Sequence, residues 1–266
     1  MKNLNLHGAR IVLRERHFLD VIDLAVRFIA VHGRIYARLS LDILLPSMIA
    51  TWLIGAGTTW VWGWLAAFLL SLAVSAPFTV LASRLVFADQ VRLRDVLVAA
   101  VRCLPRLVVA RAIQSVAVAV GMFFFFITAA WVQAALLFVP EVILLEQGKV
   151  FASMFRASRI AHAQVGNGVL AVLLMAAFAI AGPFFADITG RVLLEDLFEI
   201  RPPAALTISG GGALSLIGFW ASVPLLTTIR FLFYIDLRTR TEGWDIQTRF
   251  ATLAARSYPQ DDGVSV

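Results

Sequence analysis

The sequence predicts an all-α integral membrane protein with six transmembrane helices and with amphipathic helices on the cytoplasmic surface of the membrane. The first reason is composition. Of the 266 residues, 60% are hydrophobic and 15% are charged, whereas an ordinary soluble domain has about 25% charged residues. The second reason is that no Asp, Glu, Lys or Arg occurs in residues 43–83, 112–140, 160–186 and 202–229. The third reason is that the basic residues collect at the ends of these stretches.

The charge-free stretches divide into six predicted spans. A helix needs roughly 20 apolar residues to cross the hydrocarbon core of a membrane, so the 41 residues of 43–83 are too many for one crossing. The Gly-Ala-Gly sequence at 55–57 divides this stretch into two. The predicted spans are residues 39–57, 59–86, 107–126, 128–146, 165–186 and 206–235. The turn near residues 128–130 contains neither Gly nor Pro. The alternative is one long tilted helix over 107–146, which would move the C-terminus to the other side of the membrane.

The basic residues predict the orientation of the spans. Of the 23 Lys and Arg residues, 21 fall in or beside the N-terminal segment, the connections 84–111 and 147–164, and the C-terminal segment. Only Arg191 and Arg201 lie in the remaining connection. Because positively charged loops stay on the cytoplasmic side, we expect a bacterial inner-membrane protein with both termini in the cytoplasm, including a tail at 236–266. The N-terminal residues are polar and lead into no apolar stretch with a cleavage site, so no removable signal peptide is expected.

Three segments on the basic side have the spacing of amphipathic helices. Apolar residues recur at helical intervals in residues 18–29, 93–107 and 149–163, with charged residues between them. Such helices should lie at the membrane surface with arginine toward lipid phosphates, so anionic phospholipid headgroups are predicted partners. A unit of one surface helix followed by a hairpin of two spans is predicted to occur three times. The basic residues form no long tract and do not alternate with aromatic residues, which argues against nucleic acid as a partner.

Two short sequences connect this chain with a known family. The end of span six reads YIDLRTRTEGWDI, and the end of span four with the segment after it reads VPEVILLEQGKVFASMFRASRI. Both resemble sequences of a bacterial family of six-span membrane proteins, labelled as the glycerophosphodiester phosphodiesterase membrane domain, and of related families of unknown function. The matching positions are Tyr234, Asp236, Leu237, Arg238, Arg240, Glu242, Gly243, Trp244 and Asp245 in the first sequence, and Pro140, Glu146, Arg156, Ser158 and Arg159 in the second.

The resemblance implies a layout of six spans but says little about activity. The family takes its name from fusions to a soluble phosphodiesterase. The His-Arg and Glu-Asn-Thr motifs of that catalytic domain do not occur in this sequence, so we expect the membrane domain without it. Gln147 and Gly148 stand where the family has a direct Glu-Gly pair, and Glu141 is not part of the family pattern.

Four ionisable residues in or near the spans form the candidate intramembrane polar site: Glu141, Arg111, Asp42 and Arg230. Glu141 lies about one turn inside span four. An acidic residue at such a position usually faces protein or water, so a role in moving a proton, an ion or a substrate is the default hypothesis. The alternative is a structural pair with Arg111 at the start of span three. The arginines are expected to reach lipid phosphates near the inner surface, and Asp42 is expected to pair with Arg38 one turn earlier.

No sequence feature predicts an enzyme, a cofactor or a metal site. The four histidines are scattered, Cys103 is the only cysteine, and no paired-carboxylate, Gly-x-Ser-x-Gly or phosphate-loop sequence occurs. Pro46, Pro77, Pro140 and Pro224 each interrupt a span, which either opens a central cavity or shapes a compact bundle; the compact bundle is favoured. The loop 187–203 is expected to form a short helix that tethers the bundle on the outer side. The glycines in 209–215 are expected to allow either close helix packing or entry into the next helix.

The sequence therefore favours a non-enzymatic membrane protein that acts as a scaffold, assembly factor or regulatory partner of another membrane or cytoplasmic protein, or that self-associates. A small transporter or lipid-handling protein with a polar site near Glu141 is the alternative, and a membrane-embedded enzyme is the third class. The candidate cytoplasmic interface of the favoured function consists of Glu146, Arg156, Ser158, Arg159, Asp236, Arg238, Arg240, Glu242 and Asp245.

Overall fold

The structure is a computed structural model that describes residues 18–88, 91–162, 165–203 and 205–241. Within these residues the chain is helical, with no strand. The helices are α1 (Phe18–Val31), α2 (Gly33–Gly57), α3 (Trp60–Phe87), α4 (Leu93–Phe124), α5 (Phe126–Ala135), α6 (Val139–Glu146), α7 (Val150–His162), α8 (Val165–Val192), α9 (Leu206–Ser209) and α10 (Ala213–Thr241). A π-helical turn (Leu193–Leu197) extends α8.

Six helical stretches are long and apolar enough to cross a membrane, which confirms the predicted number of spans. They are Gly33–Gly57, Trp60–Val86, Leu93–Phe124, Phe126–Glu146, Val165–Leu197 and Ala213–Thr239. The turn between spans three and four is at Phe125, just before the predicted position. It is tight because Gly121 lets the chain return closely: a Cβ atom on Gly121 would lie 3.0 Å from the Cα atom of Ala129.

The predicted surface helix at 93–107 is not a separate element. It continues into span three as α4, a helix of 32 residues that contains Pro105 without ending there. At 1.5 Å per residue α4 is about 48 Å long, which exceeds the hydrocarbon core of about 30 Å. The segments 18–29 and 149–163 correspond to the separate helices α1 and α7. Their location at the membrane surface and the three-fold unit stay predictions.

Span six begins later and ends later than predicted. Glycines separate α9 from α10, and Gly210 has a left-handed backbone with a φ of 74°, which glycine adopts at little cost. Gly211 lies against the ring of Trp60, because a Cβ atom there would be 2.6 Å from a ring carbon. Gly211 therefore allows the connection to pack closely against the start of α3, whereas a Cβ atom on Gly210 would meet nothing within 4 Å. At the other end α10 continues through Thr241, so the first residues of the predicted tail, 236–241, belong to this helix.

Span four is broken near its middle, where a turn at residues 136–138 separates α5 from α6. Pro140 explains the break, because proline has no backbone N–H and its ring clashes with the carbonyl four residues earlier. That carbonyl, of Leu136, instead accepts a hydrogen bond from Nε2 of Gln114 at 3.2 Å. Irregular backbone at membrane depth requires such polar partners. The same carbonyl also accepts the backbone N–H of Val139 at 3.3 Å, so a backbone bond and one side chain of the neighbouring span support the break.

Helices α3, α5, α6 and α10 form the centre of the bundle, and α2, α4 and α8 pack around them. The span in α10 is 61% buried within the protein, whereas the span in α8 is 11% buried. We call the end of the bundle that carries α1, α7, the start of α4 and the end of α10 the basic face. The other end, with the turn at 58–59 and residues 193–212, is the opposite face.

Candidate functional site

A buried ion pair joins α6 to α10. Glu141 is completely buried and Arg230 is 8% exposed, and Nε of Arg230 lies 2.5 Å from Oε1 of Glu141. Two expectations are corrected here: Glu141 pairs with Arg230 instead of Arg111, and Arg230 points into the protein instead of reaching the membrane surface. Sequence spacing predicts the depth of a residue in a span. It does not determine which neighbouring helix its side chain meets.

A second arginine, Arg111 on α4, is held by a chain of amide groups. It is 7% exposed, so it also lies within the protein instead of reaching lipid phosphates as expected. Its Nη1 donates to Oε1 of Gln114 at 3.1 Å. Gln114 in turn donates from Nε2 to Oε1 of Gln133 at 3.1 Å and to the carbonyl of Leu136 at 3.2 Å. Because both ends of the Gln114 amide are engaged, the guanidinium group of Arg111 is held in a fixed orientation.

Three buried polar atoms of this group have no hydrogen-bond partner among the described residues: Nε of Arg111, Oε2 of Glu141 and Nη2 of Arg230. Leaving a buried donor or acceptor unsatisfied costs about 1–3 kcal/mol, and few native groups do so. The charges are also unequal, because two arginines accompany one carboxylate. The group therefore has one excess positive charge, which suits an anion.

A cavity of about 350 Å³ lies beside the two arginines. Helices α3, α4, α5, α8 and α10 form its wall. Besides Arg111 and Arg230, the polar side chains that line it are Ser71, Ser75, Gln133, Ser222 and Thr227. The remaining wall is apolar and includes Phe68, Leu72, Met175, Ala176, Ala179 and Phe219. A cavity of this size, mostly apolar with a few converging polar groups, is typical of a small-ligand site.

Three of the four residues predicted for the intramembrane polar site therefore lie together: Glu141, Arg111 and Arg230. Asp42 is not among them, since it is exposed on α2. The ion pairs in the described part of the chain also do not include the expected one between Asp42 and Arg38.

The amide residues of the site were missed by the sequence reasoning. Gln114 and Gln133 orient Arg111 and support the break in span four, but no motif contains them. A signal does exist, because they are the only Asn or Gln residues in the charge-free stretch 112–140. An amide in such a stretch needs partners for its hydrogen bonds, and this alone could have indicated that the two residues meet.

At the basic face, Glu146 joins three helices. Its Oε2 lies 2.6 Å from Nε of Arg156 on α7, and its Oε1 lies 3.4 Å from Nη1 of Arg238 on α10. The hydroxyl of Tyr234 donates to Oε1 of Glu146 at 3.1 Å and accepts from Nη1 of Arg238 at 3.2 Å. The two family-like sequences therefore meet in one cluster that links α7 to the ends of spans four and six.

The other residues of the predicted cytoplasmic interface are more dispersed. The hydroxyl of Ser158 contacts a histidine of its own helix, α7. Arg159 is exposed, and Asp236 is partly buried on α10. Part of the predicted interface lies outside the described residues: the side chain of Arg240, and Glu242 and Asp245.

Replacing Glu146 with Ala should loosen α7 from the bundle. The change removes the acceptor that Arg156 shares with the residues of α10, and the expected loss is about 1 kcal/mol because Arg156 is half exposed and screened by solvent. Hydrogen exchange of residues 150–162 should become faster. Arg27→Ala is the matched control, since it removes an exposed pair elsewhere on the basic face and should not change exchange in α7. Equal exchange in the wild type and Glu146→Ala would show that apolar contacts alone hold α7.

On the opposite face, Asp187 fastens the connection between α8 and α10. Nε of Arg191 lies 3.2 Å from Oδ2 of Asp187, and the same oxygen accepts the backbone N–H of Leu206 at 3.1 Å. Arg191 also donates from Nη2 to the carbonyl of Pro203. These bonds support the expected tether at 187–203. Its predicted short helix consists of the last turn of α8 and the π-helical turn.

Comparisons with protein-family models, with curated proteins and with solved structures found no match. The resemblance to the six-span membrane family therefore stays a prediction. In the part of the chain that the structure describes, no group of three or more His, Cys, Asp or Glu side chains could hold a metal ion.

Proposed function

We propose that this protein binds a ligand within the membrane and handles it there, as a small transporter or a lipid-handling protein. The observation that carries the proposal is the cavity lined by two buried arginines, Arg111 and Arg230, beside the single carboxylate of Glu141. A structural pair for Glu141 needs only one arginine. A second buried arginine adds a desolvation cost and makes no direct ion pair of its own among the described residues, since the carboxylate contacts Arg230. Ionisable residues within spans are functional by default.

This proposal replaces the scaffold function that the sequence favours. A scaffold would present its charged residues to a partner, but Glu146, Arg156 and Arg238 of the predicted interface are bound to one another within the protein. The broken span four also favours the transporter class, in which discontinuous helices commonly border a ligand site near the middle of the membrane.

The proposal predicts that a small molecule or lipid remains bound through gentle purification and that filling the cavity removes it. Ala176 lines the cavity, so Ala176→Trp should remove most of the retained molecule, as measured by mass spectrometry of extracts at equal protein amounts. Ala177 is the next residue and is exposed outside the cavity wall, so Ala177→Trp should retain it. Equal retention in both variants, or a stoichiometric protein partner without any retained molecule, would favour the scaffold instead.

We also propose that the basic face lies in the cytoplasm of a bacterium, because of the distribution of basic residues. Cys103 is replaced by Ala to give a cysteine-free background. Arg92→Cys, at an exposed position on the basic face, should then react with an impermeant reagent only after permeabilisation. Glu195→Cys, exposed on the opposite face, should react in intact spheroplasts. The reverse labelling pattern would invert the orientation.

A further inference from the structure

The two ends of the cavity differ in chemistry. Arg111, Gln133, Thr227 and Arg230 lie at the end nearer the basic face, and the wall toward the opposite face consists mainly of apolar side chains of α3, α8 and α10. On α10 the lining extends from Phe219 to Arg230, which corresponds to about 16 Å along the helix axis. The cavity is therefore elongated along the bundle, with a cationic end and an apolar shaft.

The charges at the cationic end would be balanced by one more negative charge. Glu141 neutralises one of the two arginines through its contact with Arg230, and a singly charged anion would neutralise the other. Nε of Arg111 and Nη2 of Arg230 are buried donors without a partner in the described chain. A neutral ligand would leave the excess charge in place, and a cationic ligand would add to it. Because both arginines line the cavity, the charge balance favours a monoanion.

The apolar shaft fits an alkyl chain and is accessible from the membrane. Phe68 on α3 and Ala176 on α8 line the cavity and are exposed on the outside of the bundle. Helices α3 and α8 both pack against α10, and they are not packed along each other. A lipid in the leaflet next to the basic face has its headgroup toward that face and its chain toward the middle of the membrane. This is the direction in which the cavity runs.

We propose that the cavity binds a singly charged anionic amphiphile, with its headgroup between Arg111 and Arg230 and its alkyl chain along the wall formed by α3, α8 and α10. The inference rests on the proposed function and specifies the chemical class of its ligand. A carboxylate and a phosphodiester both carry this single negative charge. The ligand is therefore either a fatty-acid-like molecule or a phospholipid-like molecule, and the binding test must distinguish these two headgroups.

The test is equilibrium binding to the full-length protein in nanodiscs of phosphatidylcholine, with empty nanodiscs as background. The probes are dodecanoate and dodecyl methyl phosphate, with dodecanol as the neutral probe and acetate as the probe without a chain. We expect one or both anionic amphiphiles to bind at least on the order of tenfold more tightly than dodecanol and acetate. The tighter of the two anions identifies the headgroup. Dodecanol that binds as tightly as both anions would overturn the proposal.

Variants connect binding to the site. Arg111→Gln should weaken binding of the preferred anion roughly tenfold to a hundredfold, and Arg111→Lys should retain part of it. Arg84→Gln is the control, because Arg84 is a partly buried arginine of α3 that does not line the cavity, and it should bind like the wild type. Wild-type affinity in Arg111→Gln would overturn the proposal.

A second variant tests the apolar part of the cavity and can be used if Arg111→Gln does not assemble. Ala179 lies in the shaft, so Ala179→Trp should weaken binding of the chain-bearing anions, whereas Ala177→Trp should not. Equal affinity in the two variants would overturn the proposal.

If neither anion binds but Ala176→Trp still removes a retained neutral molecule, this inference fails and the proposed function stands. If the wild type retains no molecule and binds no probe, both fail.

Discussion

Replacing Glu141 with Gln should destabilise the protein by about 3–5 kcal/mol, and replacing Arg230 with Gln in the same chain should restore most of this loss. The carboxylate is completely buried and lies 2.5 Å from Nε of Arg230. Gln has nearly the same shape but no charge, so the single replacement leaves two buried guanidinium groups, those of Arg230 and Arg111, without a counter-charge. The double replacement leaves two neutral amides in place of the pair, which is far less costly.

Reversible unfolding in mild detergent measures the free energies, and a double-mutant cycle isolates the coupling between two side chains. Arg111→Gln in the Glu141→Gln background is the matched control, because it also removes one positive charge but not the direct partner of the carboxylate. The coupling of Glu141 with Arg230 should exceed its coupling with Arg111. The reverse order would restore the pairing that the sequence predicted. A stable Glu141→Gln protein that has lost its ligand would place the carboxylate in the binding site itself.

The six spans could be predicted because they depend on local properties of the chain. Length, absence of charge and the positions of arginine decide whether a segment can cross a membrane, and all three are visible in a stretch such as 43–83. The break in span four was not predicted, although Pro140 was recognised. A proline in a membrane helix produces a kink or a full break depending on which groups donate to the freed backbone carbonyl. Here one donor is the side chain of Gln114, which belongs to another span.

The ionisable residues of the site were predicted from the sequence, but the contacts between them were not. Each ionisable residue in a span is conspicuous by itself, so Glu141, Arg111 and Arg230 were all identified. Their contacts depend on which faces of three helices meet, and the carboxylate pairs with a residue 89 positions away. The same is true of the cluster around Glu146 at the basic face: its residues were predicted, but their contacts were not. Glu146 and Tyr234 belong to the two family-like sequences, yet their contact across 88 positions is visible only in the folded chain.

Replacing Arg111 with Gln should make the ligand-free protein at least as stable as the wild type. Arg111 is 7% exposed, it makes no ion pair within 4 Å among the described residues, and its Nε is unsatisfied. Removing the arginine should relieve a cost of about 1–3 kcal/mol, and the new amide can still bond to Gln114. A purely structural arginine predicts the opposite result, a loss of stability, because its removal would disturb the amide chain that supports the broken span.

The same variant should lose the stabilisation that an anionic amphiphile confers on the wild type. The preferred anion at about 100 times its Kd should stabilise the wild type by about 2.7 kcal/mol, because it binds the folded state alone. Arg111→Gln should show little of this increase, and Arg84→Gln should show all of it. The two measurements are decisive together. If the Arg111→Gln variant is more stable without ligand and gains no stability from the anion, Arg111 destabilises the protein and is there to bind the anion. If the variant is less stable and the anion still stabilises it fully, Arg111 only supports the break in span four.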